Sequence, residues 1–518
     1  MREAQPDRKS TGGREATPGG SPLLIVSNRG PVEYYRDRAG AVHSRRAGGG
    51  LATALAAVAQ ARQLTWVASP VTQADREMAG REHVSEFAEA RRLRLVSTPR
   101  HAYDLFYSAF CNPLLWFLQH SLWHALRRRD PAAEALASWA HGYLPVNEAF
   151  GEEVADELLR TGARQVMLHD YHLYHAPEVV RRLVPDAALQ HFVHIPWPSA
   201  DEWAVLPRAI TESLCRGLLA NDSVVFQTGQ SVRHFVETCA ASLRGASAAD
   251  GGVRYHGRRT RVWANPISVD VADLRARLAS ARARPYRARL AHEAGERTIV
   301  RVDRLDPSKN VIAGFQAFDA FLCRYPRWKG RVRFLAFLVP SRASIPEYRA
   351  YTQESLAAAE AINSRHGRPG WQPVQVFHEN NRLQALAAMS LYDVLLVNPY
   401  RDGMNLVSKE GPVVNERDGV LVLSKTAGAY GELEEGALPV EPEDVAGTAE
   451  AIHAAIVMPL AERRRRATIL RRAVELHDLH DWLRRQLDDL RAIDLGHRRS
   501  RGARRAELRA PALRQKLK

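Results

Sequence analysis

Short apolar runs alternate with longer amphipathic segments along most of the chain. A first series begins at PLLIVSN (22–28) and ends at TRVWANPISVD (260–270), and a second begins at RTIVRVDRLD (297–306) and ends at GVLVLSK (419–425). Because each short run is followed by a helical pattern, the runs predict buried parallel strands joined by helical crossovers. The sequence therefore predicts an α/β protein with two doubly wound, Rossmann-like domains that face a central cleft.

The pattern divides the chain into four parts. Residues 1–20 are rich in Gly, Ser, Pro and charge, and we expect them to be disordered. We assign the first Rossmann-like domain to residues 21–270 and the second to 271–490, with a last helix that is a candidate to cross back to the first domain. A basic C-terminal tail is expected at residues 491–518.

The positive charge of the chain is concentrated in that tail. The 518 residues carry a net charge of +15, and residues 491–518 hold ten Arg or Lys against two Asp or Glu. The tail lacks interleaved aromatic residues and a DNA-reading motif, so a nucleic-acid partner is not expected. It indicates either a solvated tail or a contact with an acidic partner or surface.

Cysteine spacing and hydropathy exclude several other classes. The four cysteines, Cys111, Cys215, Cys239 and Cys323, include no CxxC pair, so the sequence predicts neither a disulfide framework nor a zinc site. No apolar run approaches the ~20 residues of a membrane-spanning helix. The polar N-terminus lacks the apolar core of a signal peptide. We therefore expect a cytoplasmic protein without a membrane partner.

Glycines and an arginine follow the first predicted strand. The segment SNRG (27–30) ends that strand, and GGGL (48–51) precedes a predicted helix. Glycines at such a turn allow backbone N–H groups to approach a phosphate, to which Arg29 could add a charged contact. A purely structural turn explains the same residues equally well.

Histidines follow two further strands of the first series. HDYHL (169–173) suits a sugar-hydroxyl contact, an acid/base role or a metal, since His and Asp ligate first-row metals. Internal hydrogen bonding is the structural alternative, and no further ligands stand at compatible spacing. In HIPWPS (194–199) the prolines fix the turn after His194, which leaves a structural histidine as a second interpretation.

The second series carries its polar residues on two segments. RLDPSKN (304–310) holds an Arg and a Lys that could clamp a diphosphate and stabilise the charge that develops as it leaves, although solvated surface cations are the alternative. RDGMNLVSKE (401–410) places Asp402 at a turn before backbone N–H groups that open a helix. Glu410 follows on that helix, where a carboxylate can accept both hydroxyls of a ribose.

In this order, SNR, GGL, HDYHL, HIPxPS, RLDxSK and DGMNLVxKE resemble the trehalose-6-phosphate synthase family of glycosyltransferases. The resemblance spans about residues 22–490 and implies a GT-B-type fold. It implies transfer of glucose from UDP- or GDP-glucose to glucose 6-phosphate, with retention and without a metal. The nucleotide-sugar is then a substrate, and no cofactor is expected. Large helical surfaces are compatible with a homo-oligomer.

The resemblance also implies roles for individual residues, with the acceptor on the first domain and the donor on the second. The implied catalytic residues are Asp170, His194, Arg304 and Lys309. The implied donor-binding residues are Gly49, Gly50, His194, Arg304, Lys309, Asp402, Gly403, Met404, Asn405, Leu406 and Glu410. The implied acceptor-binding residues are Arg29, Tyr107, Trp116, Asp170, Tyr171 and Arg342. In the implied front-face mechanism the leaving phosphate oxygen deprotonates the acceptor, so no enzymic nucleophile is required.

Three positions depart from the family pattern. The usual RLDYSKG is RLDPSKN here, with Pro307 for an aromatic residue and Asn310 for glycine, and the opening reads NRGPVEYY. These changes also resemble a divergent branch that includes validoxylamine 7'-phosphate synthase, and glucosylglycerol-phosphate synthases are another related group. A different acceptor is therefore one alternative, and a non-catalytic sugar-nucleotide sensor with the same fold is a second.

Overall fold

The computed structural model of the protein describes residues 22–46, 64–79, 85–86, 91–125 and 131–516, with the backbone alone at residues 46, 85–86, 91, 125, 131 and 501–516. The N-terminal segment 1–20 and the glycines Gly49 and Gly50 lie outside the described residues.

The described residues contain eighteen strands in three sheets. The strands are β1 Leu23–Ser27, β2 Val32–Arg36, β3 Val42–Arg46, β4 Leu64–Ala68, β5 Ser85–Glu86, β6 Arg91–Leu95, β7 Gln165–His169, β8 Ala188–Phe192, β9 Ser223–Phe226, β10 Ser247–Ala249, β11 Gly252–Tyr255, β12 Arg258–Ala264, β13 Arg297–Arg304, β14 Val332–Val339, β15 Val374–Phe377, β16 Val394–Val397, β17 Val420–Ser424 and β18 Leu438–Val440.

Helices connect most of these strands. The α-helices are Gln73–Met78, Arg100–Asp104, Phe117–Gln119, Pro131–Ser138, Leu144–Thr161, Ala176–Leu183, Arg208–Leu219, Gly229–Ser242, Val271–Ala279, Arg284–Glu293, Val311–Arg324, Pro346–His366, Arg382–Met389, Val407–Val414, Tyr430–Leu433, Val445–Val457, Leu460–Leu476 and Leu479–Lys516. Two π-helical segments are Leu105–Trp116 and Trp139–Tyr143, and the 3₁₀ turns are Trp123–Ala125, Tyr171–Leu173, Ala200–Val205, Pro307–Lys309 and Pro326–Trp328.

The first sheet has ten strands in the order β10-β11-β12-β9-β8-β7-β1-β4-β6-β5. The strands from β12 to β6 pair in parallel, and antiparallel pairs extend the sheet at both edges. From β1 the chain winds in one direction through β4 and β6 and in the other through β7, β8 and β9. The order therefore reverses between β1 and β7, which makes the carboxyl ends of these two strands a ligand-binding crevice.

The second sheet has six strands in the order β15-β14-β13-β16-β17-β18, and all of its pairs are parallel. Its order reverses between β13 and β16. All four residues of β16 and all five of β17 are buried, which explains why these strands read as continuous apolar runs rather than as alternating patterns. The two parallel sheets confirm the predicted α/β class with two doubly wound, Rossmann-like domains.

The antiparallel pieces were not predicted. The hairpin β2–β3 and the edge strands β10 and β11 are short and lack a continuous apolar run. Since these strands are only three to five residues long, they give a weak periodic signal.

The helix Leu479–Lys516 packs against β7 and β8 of the first sheet although it follows the second sheet in the chain. Trp482 makes an edge-to-face contact with Phe192, with ring centroids 5.3 Å apart. The Gln190 side chain donates to the Asp489 carboxylate at 2.7 Å. The last helix thus ties the second half of the molecule to the first.

The basic tail expected at residues 491–518 does not begin as a separate segment. The backbone continues as the same helix through Lys516, and Asp494 and His497 on this helix contact the first domain. The Gln165 side chain donates to Asp494 at 3.3 Å, and the His497 ring lies 3.2 Å from the Asp222 carboxylate.

In the part of the chain that the structure describes, no helix combines the length and the apolar character needed to cross a membrane.

Two leucines of the last helix provide a matched test of its docking. Leu490 is fully buried, whereas Leu495 is 53% exposed. We expect Leu490→Ala to lower the free energy of unfolding by about 2–5 kcal/mol, because it removes buried apolar surface and leaves a cavity. Leu495→Ala should change it by no more than ~0.5 kcal/mol. Denaturant titration measures both, and equal losses would show that the helix does not dock as described.

Candidate active site

The predicted site residues lie at the carboxyl ends of strands that flank the two order reversals. Arg29 follows β1 and Asp170 follows β7, while Arg304 ends β13 and Asp402 lies five residues after the end of β16. In a doubly wound sheet these positions border the crevice. The two crevices are joined by direct contacts between residues of the two domains.

Arg342 makes the most extensive of these contacts. It follows β14 and has a positive φ of 42°. Its guanidinium donates to the hydroxyl of Tyr348 at 2.9 Å, to the hydroxyl of Tyr171 at 3.3 Å and to the carboxylate of Asp306 at 3.3 Å. The guanidinium carbon also lies 5.3 Å from the ring centroid of Trp116. A residue of the second domain is thereby fixed among aromatic residues of the first.

Tyr107 lies between two cations. Burial raises the pKa of its hydroxyl, but the guanidinium groups of Arg342 and Arg29 outweigh that effect and lower the pKa from its usual value. The Tyr107 ring stacks on Tyr103 at 5.9 Å and on His172 at 6.1 Å. The arrangement of two guanidinium groups around phenolic hydroxyls suits the binding of a phosphate.

Lys309 forms an ion pair with Asp402. Asn405 also donates to the Asp402 carboxylate, at 3.1 Å, and has a positive φ of 72°. Burial alone would raise the pKa of Asp402. The Lys309 ammonium has a larger effect in the opposite direction, so the pKa falls below its usual value. The predicted clamp lysine and the predicted sugar-contacting aspartate therefore lie side by side.

The backbone at Lys309 is held by a buried arginine. Arg301 is fully buried and donates to the carbonyl oxygen of Lys309 and, at 2.6 Å, to the side-chain oxygen of Asn398. It also forms an ion pair with Asp303 at 2.9 Å. Burial raises the pKa of Asp303 to about 6, against the opposing effect of Arg301.

Asp306 connects the two groups of cations. Its carboxylate is fully buried and lies 2.6 Å from Arg304 and 3.3 Å from Arg342. Burial alone would raise the pKa of Asp306, but these two guanidinium groups lower it to about 2. Asp306 is therefore ionised at neutral pH and positions one arginine of each predicted pocket.

Asp170 and His194 lie together at the ends of β7 and β8. The backbone N–H of His194 donates to the Asp170 carboxylate at 3.3 Å, and Asp170 has a positive φ of 72°. Burial raises the pKa of Asp170 to about 6, while hydrogen bonds from the backbone amides of Tyr171 and His194 oppose the shift. Burial lowers the pKa of His194 to about 3, so its imidazole is neutral at neutral pH.

Gly403 brings the segment 401–410 against the first domain. A Cβ atom at this position would overlap the carbonyl oxygen of His194. Only glycine permits this approach. Met404 and Asn405 are buried next to it, and Leu406 immediately precedes the helix Val407–Val414.

Glu410 lies in the first turn of that helix. Arg382 donates to its carboxylate at 3.1 Å. Burial raises the pKa of Glu410, and the Arg382 guanidinium opposes the rise. Arg382, the first residue of the helix Arg382–Met389, thus orients the Glu410 carboxylate at the cleft edge of the second domain.

The sequence of the chain matches the family model for glycosyltransferase family 20 over residues 21–492. The chain belongs to this family.

Curated relatives of this glycosyltransferase family 20 member include two from prokaryotes. The chain is 32% identical to the trehalose-6-phosphate synthase of Sinorhizobium fredii over 91% of its own length and 98% of that protein. It is 33% identical to the bifunctional trehalose-6-phosphate synthase/phosphatase of Thermoproteus tenax over 89% of its own length. The chain spans 62% of the length of that bifunctional relative.

Solved structures share the fold of this family member throughout. An E. coli trehalose-6-phosphate structure bound with UDP-2-fluoro glucose is 26% identical, with a TM-score of 0.76, and the match covers 91% of this chain and 99% of the other. The trehalose-phosphate synthase of Burkholderia xenovorans in complex with glucose-6-phosphate is 28% identical, with a TM-score of 0.76, over 90% of this chain and 99% of the other.

The departures of this family 20 member from the usual motif have a structural explanation. Asn310 has a positive φ of 57°, in the left-handed region that glycine and asparagine tolerate best. Its side chain donates to the carbonyl oxygen of Pro442 at 2.7 Å. Pro307 opens the 3₁₀ turn Pro307–Lys309, where its fixed φ is compatible with the backbone. Both substitutions leave Lys309 at the cleft.

The histidines of HDYHL do not converge on one point. His169 is fully buried, and its Nδ1 faces the Nε2 of His194 at 3.2 Å. His172 instead stacks against Tyr171 and Tyr107. This geometry favours the hydrogen-bonding and sugar-contact interpretations of the motif over the metal interpretation.

Sequence reasoning did not identify several residues that position the site. These are Asp306, Tyr348, Arg301, Asn398 and Asn112, the last of which accepts from the Tyr171 hydroxyl at 2.8 Å. Asp306 belongs to the RLDPSKN segment and could have been recognised as the carboxylate between two cations. Asn112 lies on the same π-helical segment as Tyr107 and Trp116, and Tyr348 lies six residues after Arg342, but neither residue type indicates by itself which side chain it orients.

Replacement of Arg301 tests whether the buried ion pair supports the loop at Lys309. We expect Arg301→Ala to lower the free energy of unfolding by about 3–5 kcal/mol, because it leaves Asp303 buried without its partner. The matched control is Arg331→Ala, which breaks an exposed pair with Glu296 and should cost ~0–1 kcal/mol. Calorimetry or denaturant titration distinguishes the two, and a loss below 1 kcal/mol for Arg301→Ala would contradict the assignment.

Proposed function

We propose that the protein is a retaining glucosyltransferase of the cytoplasm that moves glucose from UDP- or GDP-glucose to glucose 6-phosphate and forms trehalose 6-phosphate. Family membership supports this proposal, as do the structural neighbours bound with UDP-2-fluoro glucose and with glucose-6-phosphate. The nucleotide-sugar acts as a substrate, and cations of the chain take the part that a metal plays in other transferases.

One observation carries the proposal: Asp306 holds two arginines that face different pockets. Arg304 lies on the side of Lys309 and Asp402, and Arg342 lies among Tyr107, Tyr171 and Trp116. Two anionic groups bound by these cations would lie on either side of the same carboxylate. A transferase with a nucleoside diphosphate donor and a phosphorylated acceptor needs this kind of pair.

The acceptor phosphate is assigned to Arg342, Arg29 and the Tyr107 hydroxyl. Arg29 is about half exposed and so is available to a ligand, whereas Arg342 is already oriented by Tyr348 and Asp306. Trp116 and Tyr171 form the apolar and hydroxyl-bearing walls of this pocket. Asp170, at the end of β7, is placed to accept a hydrogen bond from the acceptor hydroxyl.

The donor is assigned to the second domain. Arg304 and Lys309 contact the diphosphate, and the backbone of Gly403, Met404, Asn405 and Leu406 contacts the sugar and its phosphate together with Asp402. His194 meets the sugar from the first domain as a neutral imidazole. Glu410 accepts hydrogen bonds from the ribose hydroxyls. Gly49 and Gly50 are assigned to donor binding from the sequence resemblance alone.

The reaction exchanges one bond at the anomeric carbon for another. The bond from this carbon to the leaving phosphate oxygen breaks, and the acceptor oxygen bonds to the same face as its proton passes to the departing phosphate. Arg304 and Lys309 stabilise the negative charge that develops on the leaving diphosphate. Alignment of acceptor and donor by the two pockets supplies much of the remaining rate enhancement.

Variants of the two clamp cations test this role. We expect Arg304→Ala and Lys309→Ala each to lower kcat by at least ~10²-fold, because each removes a charge that acts mainly in the transition state. Arg331→Ala, at the opposite end of the second sheet, is the matched control and should leave kcat unchanged. Near-normal kcat in both clamp variants would refute the assignment.

A matrix of donors and acceptors tests the substrate assignment. UDP-glucose and GDP-glucose are each combined with glucose 6-phosphate, glycerol 3-phosphate or a cyclitol phosphate, and the released nucleoside diphosphate is measured. We expect the highest kcat/KM with glucose 6-phosphate and a product with retained configuration by NMR.

Two outcomes of this matrix would contradict the proposal. Preference for glycerol 3-phosphate or a cyclitol phosphate would place the protein with the related transferases, whose acceptor pockets differ. Release of no nucleoside diphosphate from any pair would indicate a sugar-nucleotide sensor.

A further inference from the structure

Three side chains with metal-binding atoms converge on the second domain, away from the cleft. They are Asp319 and Cys323, one helical turn apart on the helix Val311–Arg324, and His366, the last residue of the helix Pro346–His366. Their ligand atoms all lie within 4.8 Å of one another. None of the three belongs to the motifs or to the site described above.

The three groups meet at a single nitrogen of the histidine. His366 Nε2 lies 2.7 Å from the Asp319 carboxylate and 3.9 Å from the Cys323 sulfur. In a Cys–His–Asp catalytic arrangement the carboxylate and the thiol would contact opposite nitrogens of the ring. Here both face Nε2, and a bound ion would replace the hydrogen bond that now joins this nitrogen to the Asp319 carboxylate.

We propose that Asp319, Cys323 and His366 bind one Zn²⁺ ion, with the fourth position open to water. A thiolate, an imidazole and a carboxylate are the usual protein ligands of zinc, and the thiolate disfavours Mg²⁺ and Ca²⁺. The ligands lie at the C-terminal ends of two helices or one turn earlier, where the helix dipoles favour a cation. Cys323 is exposed, so an ion can reach the site from solvent.

The charges around the site are compatible with this ion. Arg365 pairs with the second carboxylate oxygen of Asp319, and the first faces His366 Nε2, so it is this first oxygen that an ion between the two groups would contact. Binding releases the thiol proton of Cys323 to solvent, and the ring proton of His366 moves to Nδ1, for which the described residues provide no partner.

The site would cross-link two helices without entering the cleft. Cys323 is twelve residues beyond Val311, about 18 Å along the helix that starts directly after Lys309 and Asn310. Metal binding should thus raise the unfolding temperature of the protein, because the ion binds the folded state only.

Cobalt and zinc titrations of the full chain test the site. The protein is stripped with EDTA, desalted and titrated with Co²⁺, whose thiolate-to-metal charge-transfer absorption reports a sulfur ligand. We expect saturation at one Co²⁺ per chain, displacement by Zn²⁺, and protection of the Cys323 thiol from a disulfide reagent by Zn²⁺. Because the other three cysteines are buried, the thiol readout in the folded protein is specific to Cys323.

Cys323→Ser and Asp319→Asn are the decisive variants. Cys323→Ser should abolish the charge-transfer absorption, and both variants should weaken Zn²⁺ binding at least ~10-fold in competition with a chromophoric chelator. His292→Gln, an exposed histidine on another helix of the same domain, should leave binding unchanged, and circular dichroism confirms that all variants fold. Absence of the absorption in the unmodified protein, or equal Zn²⁺ affinity in Cys323→Ser, would overturn the proposal.

Discussion

The organisation of the cleft depends on one buried carboxylate. Asp306 has no exposed surface, and contacts with Arg304 and Arg342 are the main source of stability for its ionised form. Removal of either arginine would leave the other to compensate a buried charge alone. The carboxylate therefore fixes the separation of two cations that the proposed reaction uses for two different phosphates. Arg342 in turn carries this constraint into the first domain through the hydroxyl of Tyr171.

Desolvation has opposite consequences for the two kinds of ionisable group in the cleft. Cations lower the pKa values of Asp306 and Asp402 below their usual range, whereas burial raises the pKa values of Asp303 and Glu410 although an arginine lies beside each. Groups without a close cation shift towards their neutral forms, as in His194 and, to a smaller extent, Asp170. The charged pairs Asp306–Arg304 and Asp402–Lys309 thus belong to the second domain, and the neutral imidazole of His194 belongs to the first. This contrast suits a donor whose charge lies on the diphosphate and whose sugar is uncharged.

Local patterns in the sequence were sufficient to predict the parallel strands, because strands buried on both faces are continuous apolar runs. They also identified Lys309 and Asp402, whose motifs follow strands and whose side chains form an ion pair in the structure. Contacts between distant segments could not be predicted in this way. Tyr348 orients Arg342 from a helix without a motif, and the π-helical segment that carries Tyr107 and Trp116 has no periodic signature. For the same reason scattered cysteines gave no indication that Cys323 and His366 are neighbours.

The docking of the last helix on the first sheet has a consequence for the order of synthesis. Gln190 in β8 contacts Gln486, which is translated 296 residues later. At 5–20 residues per second, the ribosome needs roughly 15–60 s to supply the partner of that face. During this interval the nascent first domain presents Met167, Ala188 and Phe192, which the completed chain buries in one core with Trp482 and Leu490. Chaperone dependence during translation should therefore be greatest in this window, until Trp482 and Leu490 have left the ribosome and can cover this face.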